Sequence, residues 1–193
     1  MQTINVTDVI RKNSTFISMI NRDSGQDVKK CYQCGKCSAG CPLAPFMDVL
    51  PNQVIRKVQL GMRDEVLNCE SIWLCAYCST CSVRCPRNIE LAEVMDSLRI
   101  LAQRDNIRPK GRAKKVSIFN KGFLRSLKKY GRLHEFTTML GFNIKSGKPF
   151  NNAETGLFML TNGKLKLSVS SPRGMDEIGR IFEKTEELGE KRP

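Results

Sequence analysis

The chain has 193 residues, 40% of them hydrophobic, so it can bury one moderate core and is not compositionally disordered. No apolar run approaches the roughly 20 residues that span a bilayer, and the first eight residues lack the basic start and apolar core of an export signal. We therefore expect a cytoplasmic protein with no membrane span. The formal net charge is +13, and residues 106–193 carry 19 lysines and arginines against 8 acidic residues.

The segment before residue 30 is predicted to contain one helix, over residues 7–22. Thr7 or Asp8 can cap its start, and Gly25 is placed to break it. Its apolar side chains are Val9, Ile10, Phe16, Ile17 and Ile20.

Two cysteine runs, 44 residues apart, form an internal repeat with the spacing C-x2-C-x2-C-x3-C-P. The first run contains Cys31, Cys34, Cys37 and Cys41, followed by Pro42; the second contains Cys75, Cys78, Cys81 and Cys85, followed by Pro86. This is the spacing of bacterial ferredoxins, in which three close thiolates bind one [4Fe-4S] cluster and the fourth binds the other cluster. The rule predicts one cluster on Cys31, Cys34, Cys37 and Cys85, and a second on Cys41, Cys75, Cys78 and Cys81.

Helical patterns separate and follow the runs. Residues 53–60 place their apolar side chains mostly on one face before Gly61, and a short helix is expected at 64–67. After the second run, residues 90–102 form a strongly amphipathic pattern. Helices between the runs favour an α-helical ferredoxin over the β-hairpins of small bacterial ferredoxins.

The chain beyond residue 105 is basic and is also predicted to be mainly helical. Between Asp105 and Glu135 it has no acidic residue, while apolar residues from 116 to 127 keep helical spacing. Further helices are expected at 133–141, from a cap at Asn152 to Leu160, and at 176–189, with an extended segment at 164–169. A hairpin turn at residues 162–163 is an alternative.

Other roles for the cysteines are weaker. Structural zinc sites would leave the third and fourth cysteines of each run unexplained, and disulfides fit neither the odd count of nine nor the missing export signal. Cys69 lies outside both runs and is interpreted as a buried small hydrophobic residue. His134, the only histidine, is interpreted as a surface or packing residue.

Aromatic residues beside the ligands and the basic stretch each have two interpretations. Trp73, Tyr32 and Tyr77 can shield clusters from water or simply pack in the core. The basic stretch at 108–132 favours docking to other subunits over nucleic acid or a membrane surface, because it has no recognised nucleic-acid motif and no evident stacking platform.

Four stretches between residues 25 and 105 are more specific than the cysteine spacing. They are Cys-Tyr-Gln-Cys-Gly-Lys-Cys at 31–37, Ala-Gly-Cys-Pro at 39–42, Pro-Asn-Gln-Val-Ile-Arg-Lys-Val-Gln-Leu-Gly at 51–61 and Ile-Trp-Leu-Cys at 72–75. Together they resemble the C subunit of the cytoplasmic heterodisulfide reductase of methanogens and its anaerobic relatives.

This resemblance implies a non-catalytic electron-transfer subunit of an oxidoreductase. It implies two partners: a flavoprotein (the A subunit) that donates electrons, and a catalytic protein with noncubane clusters (the B subunit). The catalytic partner reduces the disulfide of coenzyme M and coenzyme B in methanogenesis. A larger hydrogenase- or formate-dehydrogenase-linked complex is also implied. Because the chain has no adjacent Cys-Cys pair, we do not expect it to cleave the disulfide alone.

The alternative is the iron–sulfur subunit of another anaerobic dehydrogenase, such as a fumarate reductase or a glycerol-phosphate- or glycolate-type complex. A module whose metal serves only to fold it is a further alternative. We predict a mainly α fold: an α-helical ferredoxin with two [4Fe-4S] clusters plus helical N- and C-terminal extensions. The expected domains are an N-terminal helical segment at 1–30, the two-cluster domain at 31–105 and a basic docking extension at 106–193.

Overall fold

The computed structural model describes residues 14–149, 153–164 and 172–190, and in this part of the chain every regular element is helical. The prediction of a mainly α fold is therefore confirmed. None of the helices in these ranges is long and apolar enough to cross a membrane. The chain divides into two compact units, residues 1–114 and 115–193, which are described separately.

The first unit contains four longer helices and three that span a single turn. The longer ones are α1 (Ser14–Ser24), α3 (Pro51–Gln59), α4 (Arg63–Asn68) and α7 (Leu91–Arg104); the short ones are α2 (Lys36–Ala39), α5 (Ser71–Leu74) and α6 (Thr80–Val83). Two 3-10 turns lie at Val28–Lys30 and Ala44–Phe46. The long helix α8 (Gly111–Tyr130) begins in this unit and continues into the next.

The apolar stripe of α7 forms the centre of the core. As the periodicity predicts, its residues 91, 94, 95, 98, 101 and 102 are all buried, and they pack in one cluster with Phe16, Ile17 and Ile20 of α1. Helices α3, α4 and α5 add Val54, Ile55, Val58, Val66, Leu67, Ile72 and Trp73 to the same cluster. The first and third cysteines of each run, Cys31, Cys37, Cys75 and Cys81, pack against this core.

Helix α3 begins and ends where its sequence indicates. Pro51 occupies the first helical position, where its missing N–H would have no helical partner, and the Gln53 side chain accepts a hydrogen bond from the Leu50 N–H at 3.0 Å. Gly61 follows with a φ of 70°, which a glycine adopts without steric cost. The predicted helices at 53–60, 64–67 and 90–102 are confirmed by α3, α4 and α7.

The second unit continues α8 and adds α9 (Glu135–Lys145), α10 (Ala153–Thr161) and α11 (Met175–Glu190). Phe119 packs edge-on against Phe142, with ring centroids 6.1 Å apart, and the Lys128 ammonium pairs with the Glu186 carboxylate at 2.6 Å. Among its described residues, the buried side chains are the polar Ser126, His134 and Thr138.

Part of the predicted organisation lies outside the described residues. This holds for the caps at Thr7, Asp8 and Asn152 and for the extended segment at 165–169. The predicted helices at 133–141, up to Leu160 and at 176–189 correspond to α9, α10 and α11, each shifted by a few residues at most. Gly163 follows α10 with a φ of 65°.

Candidate iron–sulfur centre

The two cysteine runs share a backbone conformation as well as a spacing. In the first run Gln33 and Gly35 have φ values of 63° and 76°, and the equivalent Tyr77 and Ser79 have values of 56° and 57°. Each left-handed pair leads into a one-turn helix, α2 in the first run and α6 in the second. Left-handed non-glycine residues are uncommon and concentrate at functional sites.

The first cysteine of each run directly follows a short helical element. Cys31 follows a 3-10 turn that Asp27 caps, with its Oδ1 accepting from the Lys29 N–H at 3.1 Å. Cys75 follows α5. Helices α2 and α6 contact each other, so the two runs lie side by side.

One cavity, partly open to solvent, is lined by cysteines from both runs. Its lining includes Cys41 from the first run together with Cys75, Cys78 and Cys81 from the second. Its other walls are mostly apolar, from Pro42, Leu43, Met47, Pro51, Ala76, Leu91, Ala92 and Met95, with Ser79 and Thr80. Four thiols around one such space suit an iron–sulfur cluster, in which each iron takes one thiolate.

The end of the second run is in turn close to the first run. Desolvation, together with the charge and a hydrogen bond of Cys34 and the charge of Cys85, raises the pKa of the Tyr32 phenol. A Cβ built at Gly40 would lie 2.5 Å from the Arg84 Cδ. The carboxyl-terminal ends of the two runs are therefore close to each other at Gly40 and Arg84.

Hydrogen bonds reach several of the sulfur atoms. The Gln33 side-chain amide donates to the Cys31 Sγ at 3.4 Å, and the Ile89 N–H donates to the Cys85 Sγ at the same distance. The Cys78 Sγ lies 3.4 Å from the Thr80 Oγ1. Such contacts orient the sulfurs and stabilise negative charge on them.

The thiols of the two runs divide into half-buried and exposed ones. Partial burial raises the pKa of Cys37, Cys75 and Cys81, while hydrogen bonds from Thr80 lower the pKa of the exposed Cys78. Because metal ligands must be deprotonated, binding of iron at the half-buried thiols would expel protons.

A polar network fixes the first run against α3. The Ser38 hydroxyl donates to the Asn52 Oδ1 at 2.5 Å and accepts from the Asn52 N–H at 2.9 Å, and the Asn52 side chain lies 3.5 Å from the Gln33 Oε1. Gln33, the donor to Cys31, is thereby held from two sides.

Asp48 fixes the segment that leads into the second run, and the sequence patterns did not predict this role of Asp48. Its carboxylate accepts from the Glu70 N–H at 2.9 Å, the Ser71 N–H at 3.0 Å and the Ser71 hydroxyl at 2.6 Å. Although partial burial alone raises the pKa of Asp48, these hydrogen bonds lower it overall. Asp48 therefore caps α5, the helix that ends just before Cys75. The signal that could have revealed this role is that Glu70, at the N-cap position of α5, makes no side-chain cap hydrogen bond, so the first N–H groups of α5 need another acceptor.

Other residues singled out in the sequence lie away from this centre or contribute little shielding. Cys69 is 5% exposed in the core, as predicted, and all nine cysteines are free of disulfide bonds. Trp73 packs in the core, whereas Tyr32 and Tyr77 are 60% and 43% exposed. A hydrogen bond to Glu93 raises the pKa of Tyr77 to about 12.

His134 is a packing residue that caps a helix. It is buried at the start of α9, where its Nδ1 accepts from the Thr137 N–H, and its own N–H donates to the Ser126 hydroxyl at 2.8 Å. This agrees with the interpretation of His134 as structural.

The fold and the paired cysteine runs define a helical protein of the iron–sulfur class, and comparison with known proteins agrees. Residues 27–89 match the family described as 4Fe-4S dicluster domain. The matched segment contains both cysteine runs.

Over less than half of its length, the chain is similar to C subunits of CoB–CoM heterodisulfide reductases. The chain is 40% identical over 90 residues to the second iron–sulfur C subunit of this enzyme in Methanocaldococcus jannaschii, covering 46% of this chain and 48% of the relative. It is 44% identical over 79 residues to the C subunit of the ferredoxin:CoB-CoM heterodisulfide reductase of Methanosarcina acetivorans, covering 41% and 32%. It is 32% identical over 95 residues to the C subunit of the H2:CoB-CoM heterodisulfide, ferredoxin reductase of Methanothermobacter thermautotrophicus, covering 48% and 51%.

These matches confirm the resemblance to the C subunit of heterodisulfide reductases over the segment that carries the cysteine runs. The chain spans about half the length, or less, of these relatives. The likeness therefore applies to the two-run unit.

Proposed function

We propose that this chain is the electron-transfer subunit of a heterodisulfide reductase complex and that it holds two [4Fe-4S] clusters. The observation that carries the proposal is the cavity lined by Cys41 together with Cys75, Cys78 and Cys81. The similarity to the C subunits of three methanogen complexes supports this function over that of a fumarate reductase or a glycerol-phosphate- or glycolate-type subunit.

The proposed ligands follow the crossed arrangement. One set is Cys41, Cys75, Cys78 and Cys81, which the shared cavity supports; the other is formed by the remaining four, Cys31, Cys34, Cys37 and Cys85. The contact between α2 and α6 supports clusters that are shared between the two runs. When bound, each cluster takes up and gives up one electron at a time. With all-thiolate ligation no coordination position is left for a substrate, so the chain relays electrons and does not catalyse bond cleavage.

The residues around the thiols orient the sulfur atoms and limit their contact with water. Gln33, Ile89 and Thr80 hold sulfur atoms by hydrogen bonds, and the apolar wall of the cavity limits the access of water. Fixed positions keep the rearrangement on electron transfer small, and exclusion of water helps to set the reduction potential.

The second unit is proposed to dock onto other subunits. Its described helices leave large apolar side chains exposed, among them Leu157 and Phe158 of α10 at 63% and 65%. Residues 106–193 also carry most of the positive charge. Exposed apolar groups within a charged surface are typical of interaction sites. We retain residues 1–30, 31–105 and 106–193 as the functional division of the chain.

The proposed partners are a flavoprotein that donates electrons and a catalytic protein that accepts them. The catalytic partner would reduce the disulfide of coenzyme M and coenzyme B, within a hydrogenase- or formate-dehydrogenase-linked complex. We further propose a cytoplasmic location, because reducing compartments maintain free cysteines such as the nine found here.

The test is an anaerobic reconstitution with the flavoprotein and the catalytic partner. Reduction of the heterodisulfide by electrons from the flavoprotein is expected only when this chain is present, and a Cys78→Ser chain should relay poorly, while Cys69→Ala should relay normally. Disulfide reduction at the full rate without the chain would contradict the proposal, as would full relay by the Cys78→Ser chain.

A further inference from the structure

In each half of the cluster domain, a side chain from the helix after the cysteine run donates hydrogen bonds to two backbone carbonyls. These are the carbonyl of the first cysteine of the run and the carbonyl of the residue three positions before it. In the first half, the Gln59 Nε2 of α3 donates to the carbonyls of Val28 and Cys31 at 2.8 and 2.9 Å. In the second half, the Arg99 guanidinium of α7 donates to the carbonyls of Ile72 and Cys75 at 3.0 and 2.9 Å.

The two bridges join equivalent carbonyls but differ in charge. Each joins the first cysteine of a run to the residue three positions before it. The bonded carbonyls keep the 44-residue spacing of the repeat, whereas Gln59 and Arg99 lie 40 residues apart, so the two bridges correspond in the carbonyls they join and not in sequence register. The amide of Gln59 is neutral, whereas Arg99 carries a full positive charge that stays on the guanidinium at any working pH. The Arg99 side chain is only 20% exposed, which limits screening of its charge by water.

Charged side chains near the two bridges reduce the difference in charge between Gln59 and Arg99 but do not remove it. Asp96 lies 3.5 Å from Arg99, but its side chain is 40% exposed, so it offsets the guanidinium only in part. On the same side, the Glu93 carboxylate accepts from the Tyr77 hydroxyl. Near the first run, Arg56 donates to the Gln59 Oε1 at 3.3 Å from an exposed position, and Arg87 is exposed near Tyr32.

We propose that Arg99 is a positioning residue whose charge raises the reduction potential of the cluster on Cys75 relative to that of the cluster on Cys31. This inference rests on the proposed function. Reduction adds one electron, supplied by the flavoprotein partner, to a group that already carries a charge of about −2 with its four thiolates, and no ligand or proton leaves. A cation held beside one ligand favours the more negative, reduced form. With both clusters bound, this difference in potential would favour transfer of an electron from the Cys31 side to the Cys75 side.

The experiment is an anaerobic redox titration of the isolated, fully loaded chain, followed by EPR. In Arg99→Gln the second half acquires the same neutral anchor as the first, and the cluster on Cys75 should become about tenfold harder to reduce, a drop of about 59 mV for one electron. Arg99→Lys should retain most of the wild-type potential. Lys114→Gln, an exposed charge change in the same unit, should leave both potentials unchanged.

The reciprocal variant Gln59→Arg keeps the inference testable if Arg99→Gln loses iron. It should raise the potential of the cluster on Cys31 and leave the other unchanged. Unchanged potentials in fully loaded Arg99→Gln would overturn the inference, and so would an unchanged potential in Gln59→Arg. A wild-type chain that binds no iron would instead overturn the proposed function, which separates the two failures.

Discussion

At the scale of single residues, the conformation of each cysteine run depends on two left-handed positions. Gly35 has a φ of 76° with no protein atom within 4 Å of the place where a Cβ would lie. Ser79 adopts the same left-handed conformation at the equivalent position of the second run despite its side chain. The left-handed backbone at this position is therefore common to both runs and does not require a glycine.

The crossed ligand sets predict a specific pattern in double variants. Cys41→Ser with Cys78→Ser removes two ligands of one proposed cluster, so about four irons per chain should remain. Cys41→Ser with Cys34→Ser removes one ligand of each cluster, so much less iron should remain. Iron analysis after anaerobic reconstitution measures both.

Local closure of each run would give the opposite pattern. The Cys41 and Cys34 pair would then retain about four irons, and the Cys41 and Cys78 pair would lose both clusters. Cys69→Ala is the control that should keep the full amount, because Cys69 lies in the core outside both runs.

Asp48 predicts a stability effect centred on the second run. Asp48→Ala removes three hydrogen bonds at the start of α5 and should cost about 1–2 kcal/mol of unfolding free energy, the usual range for a lost cap. Since the folded pKa of Asp48 is lowered, its contribution is complete above the unfolded value of about 3.9 and is lost as the pH falls through the folded pKa. Denaturant unfolding of the wild type and of Asp48→Ala at neutral pH measures this loss of unfolding free energy.

The control for Asp48 is Asp64→Ala, whose side chain is 91% exposed in the first turn of α4. Its change should stay within about 0.5 kcal/mol, as for most surface substitutions. Equal effects of the two substitutions would contradict the role assigned to Asp48.

At the scale of elements, amphipathic periodicity predicted the longer helices correctly, but it did not reveal the one-turn helices. The pattern at 90–102 predicted α7 and its buried face because 3.6-residue spacing extends over more than three turns. Helices α2, α5 and α6 were missed because one turn carries too little periodicity to detect. The anchors Gln59 and Arg99 were missed too, because contacts across 24 or more residues leave no local pattern.

The buried face of α7 predicts a large loss of stability when it is truncated. Leu98 is fully buried, so Leu98→Ala should lower the unfolding free energy by about 2–5 kcal/mol through lost burial and the cavity left behind. Ile100, 36% exposed on the other face, is the control, and Ile100→Ala should cost much less. Similar losses at both positions, measured by denaturant unfolding, would be inconsistent with the described core.

Helix α10 predicts an effect on association without an effect on folding. Leu157→Ser with Phe158→Ser changes two exposed apolar side chains, so the unfolding transition should stay within about 0.5 kcal/mol while binding to the flavoprotein and catalytic partners weakens about tenfold or more. Glu154→Ser, on the same helix, is the matched control. Unchanged affinity in the double variant would argue against docking through α10.

At the scale of the whole molecule, the two units differ in what stabilises them. The core of the first unit is formed by α1, α3, α4, α5 and α7 and positions both cysteine runs. The described part of the second unit buries mainly polar side chains and leaves many apolar ones exposed, which fits a role in contacts with other chains. The positive charge concentrates after residue 105, whereas the two units divide after residue 114, within α8.

The central claim is that the chain holds two [4Fe-4S] clusters that accept electrons, and metal and sulfide analysis with EPR tests it most directly. Anaerobically prepared protein should contain about eight irons and eight sulfides per chain and give cubane signals after reduction. Zinc in place of iron, or iron without a signal that appears reversibly on reduction, would contradict the account.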